Sequence, residues 1–174
     1  MNRTVQILLF VAVMLAAGTG GFMLSAPHRT GPVDAGQLLD ATLPDLSGAP
    51  QKIGNWKGKV LVINFWATWC PPCLEEIPHF VRLQRQLGEQ GLQFIGVAID
   101  EPDKVRTFAQ QNAINYPVMI GQLDAIELSK SAGNTAGGLP YTLILDRSGR
   151  VVSQHSGGLT EEILQPIFAE LLSK

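Results

Sequence analysis

Cys70 and Cys73 are the only cysteines among the 174 residues, and they stand in the run Trp66-Ala67-Thr68-Trp69-Cys70-Pro71-Pro72-Cys73. Two thiols at this spacing, at the start of a helix, are suited to thiol-disulfide chemistry. The first sulfur lies near the unpaired backbone N–H groups and the positive end of the helix dipole, where a thiolate is favoured. The second, one turn on, is close enough to close a disulfide. Cys70 is therefore the candidate nucleophile and Cys73 the resolving thiol. An inert buried pair and half of a zinc site are the bland alternatives, but a structural zinc site takes four ligands and the chain supplies two thiols. Pro71 and Pro72 carry no backbone N–H, so they alter how many donors reach the Cys70 sulfur and are candidate redox-tuning residues. Trp69 borders Cys70 and is placed to shield the thiolate or touch substrate, whereas Trp66 is expected in the core.

The elements around this run must hold it. Val60-Leu61-Val62-Ile63-Asn64-Phe65 is nearly continuous apolar sequence, as in a strand buried on both faces. The helix after the cysteines is expected from about Pro72 to Leu87, with Leu74, Ile77, Phe80, Val81, Leu83 and Leu87 on its apolar side and a bend at Pro78. On this helix Glu75 is read as a surface residue facing His79 one turn later. Gln93–Ile99 reads as a second buried strand, Pro102–Asn112 as a helix with Val105, Phe108 and Ala109 inward, Tyr116–Ile120 as a short strand and Leu123–Lys130 as a helix. Gly133–Gly138 breaks the pattern. Tyr141–Asp146 and Val151–His155 flank Arg147-Ser148-Gly149-Arg150 as a hairpin, and Leu43–Ile53 reads as two short strands around a Ser-Gly turn. A terminal helix starts with Thr160 as its cap, turns Ile163, Leu164, Ile167, Phe168, Leu171 and Leu172 inward, and must kink or start late to accommodate Pro166.

The N-terminus has a different character. Val5 to Leu24 contains no charged residue and is long enough, at about 1.5 Å per residue, to cross a bilayer core of roughly 30 Å. It is expected to be an uncleaved membrane anchor (residues 1–24), with a cleaved signal peptide as the alternative. Residues 25–39, rich in Pro, Gly and small polar residues, read as a tether, and residues 40–174 as one domain. Arg3 before the span and Arg29 after it place the bulk of the chain only weakly outside the cytoplasm. With 13 basic and 15 acidic residues, a net charge of −2 and no basic run, the composition excludes nucleic acid as a partner.

In order, strand, Trp-Cys-x-x-Cys, bent helix, strand, helix and a Pro-led hairpin with a terminal helix resemble the thioredoxin fold. More narrowly, the chain resembles the TlpA/ResA-like membrane-anchored thiol-disulfide oxidoreductases. The resemblance covers roughly Leu43 to Leu172 and rests on Phe65–Cys73, on Glu76-Ile77-Pro78 and on Gly138-Leu139-Pro140-Tyr141-Thr142. It implies an α/β, three-layer fold with a central mixed sheet, an N-terminal short hairpin, a helix-strand insertion at about Asp100 to Gln122, and one preceding transmembrane helix.

The resemblance also assigns roles. It makes Glu76 the acid that manages the proton of the cysteine pair, able to deprotonate Cys73 if burial raises its pKa. Plain thioredoxins place a buried aspartate where this chain has Asn64, which shifts the base toward Glu76. It makes Leu139-Pro140 a cis peptide whose backbone pairs with an extended substrate segment as an added strand. The expected activity is thiol-disulfide oxidoreduction, and more narrowly reduction of disulfides in exported proteins, with apocytochrome c thiols as one substrate class and a disulfide donor as the alternative direction. A membrane electron-donor protein would recharge the pair, Val5–Leu24 would meet the lipid bilayer, and the domain would lie in the periplasm or otherwise outside the cytoplasm, on the inner membrane. No cofactor or metal is expected. The rival reading is a copper-binding or copper-delivery module using both thiols and His155, although such proteins generally space their cysteines by three residues. Peroxidase chemistry fails on motif, since Ala67 stands where a peroxiredoxin carries threonine.

Overall fold

The computed structural model describes residues 35–173, so the candidate membrane span at Val5–Leu24 lies outside the described residues. Among the described residues no helix is long and apolar enough to cross a membrane. The chain runs α1 (Ala35–Asp40), β1 (Thr42–Pro44), β2 (Pro50–Lys52), a short 3-10 turn, β3 (Val60–Trp66), α2 (Pro71–Leu87), β4 (Leu92–Ala98), α3 (Pro102–Gln111), β5 (Val118–Ile120), α4 (Gln122–Ser131), β6 (Tyr141–Leu145), β7 (Val151–Ser156) and α5 (Glu161–Leu172). β1 and β2 form a separate antiparallel pair. The other five strands form one mixed sheet in the order β5-β4-β3-β6-β7, with β3, β4 and β5 parallel and β6 and β7 antiparallel to their neighbours.

The strand alternation sorts the core into two layers. Val60, Val62 and Trp66 of β3 and Leu92, Phe94 and Ala98 of β4 face α2, α3 and α5, where Phe94 stacks on Phe80 at 4.9 Å and meets Phe168 edge-on at 6.1 Å. Leu61, Ile63, Phe65, Ile95 and Val97 face the opposite way, toward α1 and α4. Both strands are buried along their whole length, as their continuous apolar sequence predicts. Two hairpin turns use one device. In Asp45-Leu46-Ser47-Gly48 and Asp146-Arg147-Ser148-Gly149 the aspartate Oδ1 accepts two backbone N–H groups, and the glycine takes a φ of +88° or +87° that a side chain would resist.

Several expectations need correction. α1 occupies the end of the segment read as a tether, because Leu38, only 1% exposed, inserts into the second core layer. Tyr116 and Pro117 precede β5 instead of belonging to it. α5 does not start late: Pro166 lies inside the helix, its missing N–H being one intrahelical bond within an element packed through Leu164 and Phe168. Ile163 points outward, and Thr160 stands at the N-cap without bonding the helix backbone, its hydroxyl donating to the Glu162 carboxylate instead. His79 meets Glu161 and Arg82, not Glu75, since α5 lies against that side of α2.

Candidate functional site

Cys70 and Cys73 form a disulfide with their Cα atoms 5.3 Å apart. Cys70 is the N-cap of α2 in an extended conformation, and Pro71 and Pro72 fill the first two helical positions. The Cys70 N–H is already bonded to the Ala67 carbonyl, and the Leu74 N–H to the Cys70 carbonyl. The Cys73 N–H is thus the one first-turn donor left for the Cys70 sulfur, because the two prolines have none. Cys70 is 4% exposed and Cys73 fully buried, so in the disulfide state even the first sulfur is largely covered. Trp69, by contrast, is 64% exposed beside it, while Trp66 is in the core.

The loop carrying the pair is held from the neighbouring strand. The Thr68 N–H and hydroxyl both donate to one carboxylate oxygen of Asp100, just after β4, and the other oxygen accepts the Glu101 N–H. Pro140 comes to the same end of the sheet. Tyr141 pairs with Phe65, so Pro140 lies beside the end of β3 that leads into the cysteine loop. The Leu139–Pro140 bond is cis. The loop before it is fixed by Asn134, buried, whose Nδ2 donates to the Gly138 carbonyl, and the Pro140 carbonyl accepts the Gly157 N–H. Gly158 sits beside Pro72, where a Cβ built on it would lie 3.7 Å from the Pro72 carbonyl oxygen, at ordinary van der Waals contact.

Glu76, on the face of α2 turned toward the sheet, is 1% exposed. One of its oxygens accepts Asn64 Nδ2 at 2.7 Å and the other accepts the Leu159 N–H at 2.9 Å. Asn64 Nδ2 also donates to Thr142 Oγ1 at 3.0 Å. Burial pushes the carboxyl up to about 7 against the opposing pull of these two donors, and its charge adds to the burial that raises the Tyr116 phenol. A carboxyl that exchanges its proton near neutrality, one turn from Cys73, can act as acid or base at the pair.

The structure brings together the sequence-predicted Cys70, Cys73, Glu76, Pro71, Pro72, Trp69, Leu139 and Pro140 at one end of the sheet. His155 pairs with Thr142 in β7, and among the described residues no three His, Cys, Asp or Glu side chains gather to hold a metal ion, so the copper reading lacks its third ligand. Leu159, Thr142 and Asp100 were not predicted. Leu159 acts through its backbone, which carries no side-chain signal, whereas Thr142 is the one polar residue in the apolar run Tyr141–Leu145 and answers to Asn64 in β3.

Residues 34–171 match the Redoxin family. The chain is similar to the thiol-disulfide oxidoreductase ResA of Halalkalibacterium halodurans, 32% identical over 141 residues that cover 78% of this chain and 75% of that protein. It is also similar to ResA of Geobacillus thermodenitrificans, 29% identical over 92% of this chain and 88% of that one. A solved thioredoxin-family thiol:disulfide interchange protein from Chlorobium tepidum TLS superimposes with a TM-score of 0.69 at 29% identity, covering 84% of this chain and 99% of that chain. The fold is thus thioredoxin-like around a central mixed sheet, and the chain belongs to the Redoxin family and, within it, to the ResA/TlpA-like thiol-disulfide oxidoreductases.

Proposed function

We propose that the chain is a membrane-held reductase of disulfides in exported proteins, with apocytochrome c among the substrates, working outside the cytoplasm. In the reduced protein the Cys70 thiolate attacks one sulfur of a substrate disulfide. The substrate S–S bond breaks, and its other sulfur leaves as a thiolate. Glu76 takes the Cys73 proton, and the Cys73 thiolate attacks the Cys70 sulfur of the mixed disulfide, releasing the second substrate thiolate. Two electrons pass to the substrate, and the Cys70–Cys73 disulfide remains. A membrane electron-donor protein then reduces that disulfide, and Glu76 returns the proton to Cys73. Trp69 and the backbone at Leu139-Pro140 receive the substrate segment, in the manner of an added strand.

The observation that carries this reading is the buried carboxyl of Glu76, held between Asn64 and Leu159 one turn beyond the resolving cysteine. The apolar run Val5–Leu24 supports tethering to the inner membrane, and a Cys70–Cys73 pair able to close into a disulfide is compatible with an oxidising compartment. The test is the reduction potential of the Cys70/Cys73 couple together with turnover of a protein disulfide. A reductase gives a potential near or below thioredoxin's value of about −270 mV, where about 30 mV is a tenfold change in equilibrium, and Cys70→Ser abolishes turnover. A value near the strong-oxidant range of about −120 mV, or full activity in Cys70→Ser, refutes the assignment.

A further inference from the structure

Asn64, Glu76 and Thr142 form a buried polar unit inside an otherwise apolar layer, each no more than 2% exposed. The unit is built across three elements. Asn64 of β3 stands in register with Thr142 of β6 on one side and with Gly96 of β4 on the other, and Glu76 descends on it from α2. One nitrogen, Asn64 Nδ2, serves both neighbours: one hydrogen goes to Glu76 and the other to Thr142 Oγ1. The same end of the amide therefore faces Glu76 and Thr142 together.

We propose that Thr142 is a positioning residue for the proton step at Glu76, its hydroxyl acting through the Asn64 amide to support the ionised carboxylate. The inference rests on the reading of Glu76 as the base. With Glu76 ionised, Asn64 Nδ2 donates to both partners, and the Thr142 hydroxyl accepts. Half a turn of the amide puts Oδ1 in the same place, where it accepts the O–H of protonated Glu76 while the Thr142 hydroxyl reverses and donates. Both protonation states then keep the two contacts, with the amide nitrogen and oxygen exchanging places. A buried aspartate at position 64 could not do this, because an ionised carboxylate only accepts.

The two states depend on the hydroxyl unequally. Without it, the ionised state leaves a buried Asn64 N–H with no acceptor. The protonated state leaves only a second lone pair unused on a carbonyl that already accepts a bond. An orphaned buried N–H is the more costly of the two. Removing the Thr142 hydroxyl should therefore raise the proton affinity of Glu76. A packing defect does the opposite, since water admitted beside a buried carboxyl favours its charged form. The sign of the change separates positioning from damage.

The titratable and polar groups on the elements packed around Glu76 are unchanged by the substitution. They are Cys73 and His79 on its own helix, the Tyr116 phenol ahead of β5, the Leu159 N–H ahead of α5, and His155 across from Thr142 in β7; β4 contributes Gly96, which has no charge. Glu161 of α5 is engaged by Arg82 and His79.

The experiment is a carboxyl-carbon NMR titration of the oxidised full chain in detergent, labelled at glutamate, with Glu76→Gln identifying the resonance. Thr142→Val and Thr142→Ala should each raise the Glu76 midpoint by about one pH unit, roughly tenfold in proton affinity. Thr142→Ser, which keeps the hydroxyl, should titrate as the parent does. The pH dependence of Cys73 resolution should move upward by the same amount in Thr142→Val. An unchanged or lowered midpoint in both Thr142→Val and Thr142→Ala, or a Thr142→Ser shift as large as theirs, overturns the proposal. Failure of Glu76 as the base would show separately, as unimpaired resolution in Glu76→Gln, and would leave the titration result standing.

Discussion

Replacing Glu76 by glutamine should change how stability depends on pH, and the structure gives both sign and size. Burial raises the carboxyl from 4.5 to about 7 in the folded chain, so between these values the folded state holds a proton that the unfolded chain has released. Stability must then fall as pH rises through that window. It is greatest below the unfolded value and fully reduced above about 7, with a difference of about 3 kcal/mol. Glutamine does not titrate, and it fits the site if its oxygen accepts the Leu159 N–H and its amino group faces an Asn64 amide that has turned to present Oδ1. The assay is urea unfolding of the oxidised protein and of Glu76→Gln at fixed ionic strength, from about pH 4 to about pH 8.5, with linear extrapolation. The unfolding free energy of the parent relative to the variant should drop by about 3 kcal/mol across that range, groups elsewhere cancelling in the comparison. A difference that stays constant within about 1 kcal/mol, or that grows with pH, would refute the claim that a buried carboxyl is ionising against its surroundings.

Two further substitutions probe the same end of the molecule. Asn64→Asp would set a second carboxyl about where Nδ2 now lies 2.7 Å from Glu76, so the pair should titrate as a coupled unit. The variant should lose about 3–5 kcal/mol above pH 8 and much less near pH 5, measured by urea unfolding, and equal losses at both would contradict this. Trp69→Ala removes a side chain that is 64% exposed, so unfolding free energy should change by no more than about 0.5 kcal/mol while KM for a protein disulfide rises and kcat holds. A large fall in stability would instead place Trp69 among the packing residues.

The candidate site was legible wherever chemistry is written in residue type and local spacing. Cys70, Cys73 and Glu76 lie within two turns of one helix, and Pro71 and Pro72 fix its start, so their relation needs no knowledge of the rest of the fold. The apolar runs of β3 and β4 were equally plain, because a strand buried on both faces has no polar positions to obscure it. Element ends were less so. Nothing local marks Leu38 as an anchor for α1, whose burial is set by a distant sheet face, and the partner of His79 is Glu161 because α5 packs against α2.

The class of reaction was legible along the chain: two thiols at the mouth of a helix pointed to dithiol chemistry, and the resemblance added the acid one turn on and the proline before a strand. How that acid is set depends on the packed fold. Glu76 reaches its raised proton affinity because the packed sheet and helices exclude water from it, while the Leu159 N–H and the Asn64 amide pull it back, and these two contacts span 83 and 12 positions of sequence. A proton affinity depends on the water excluded and the donors aimed at one group, and these are properties of the packed volume around it, which no local stretch of chain contains.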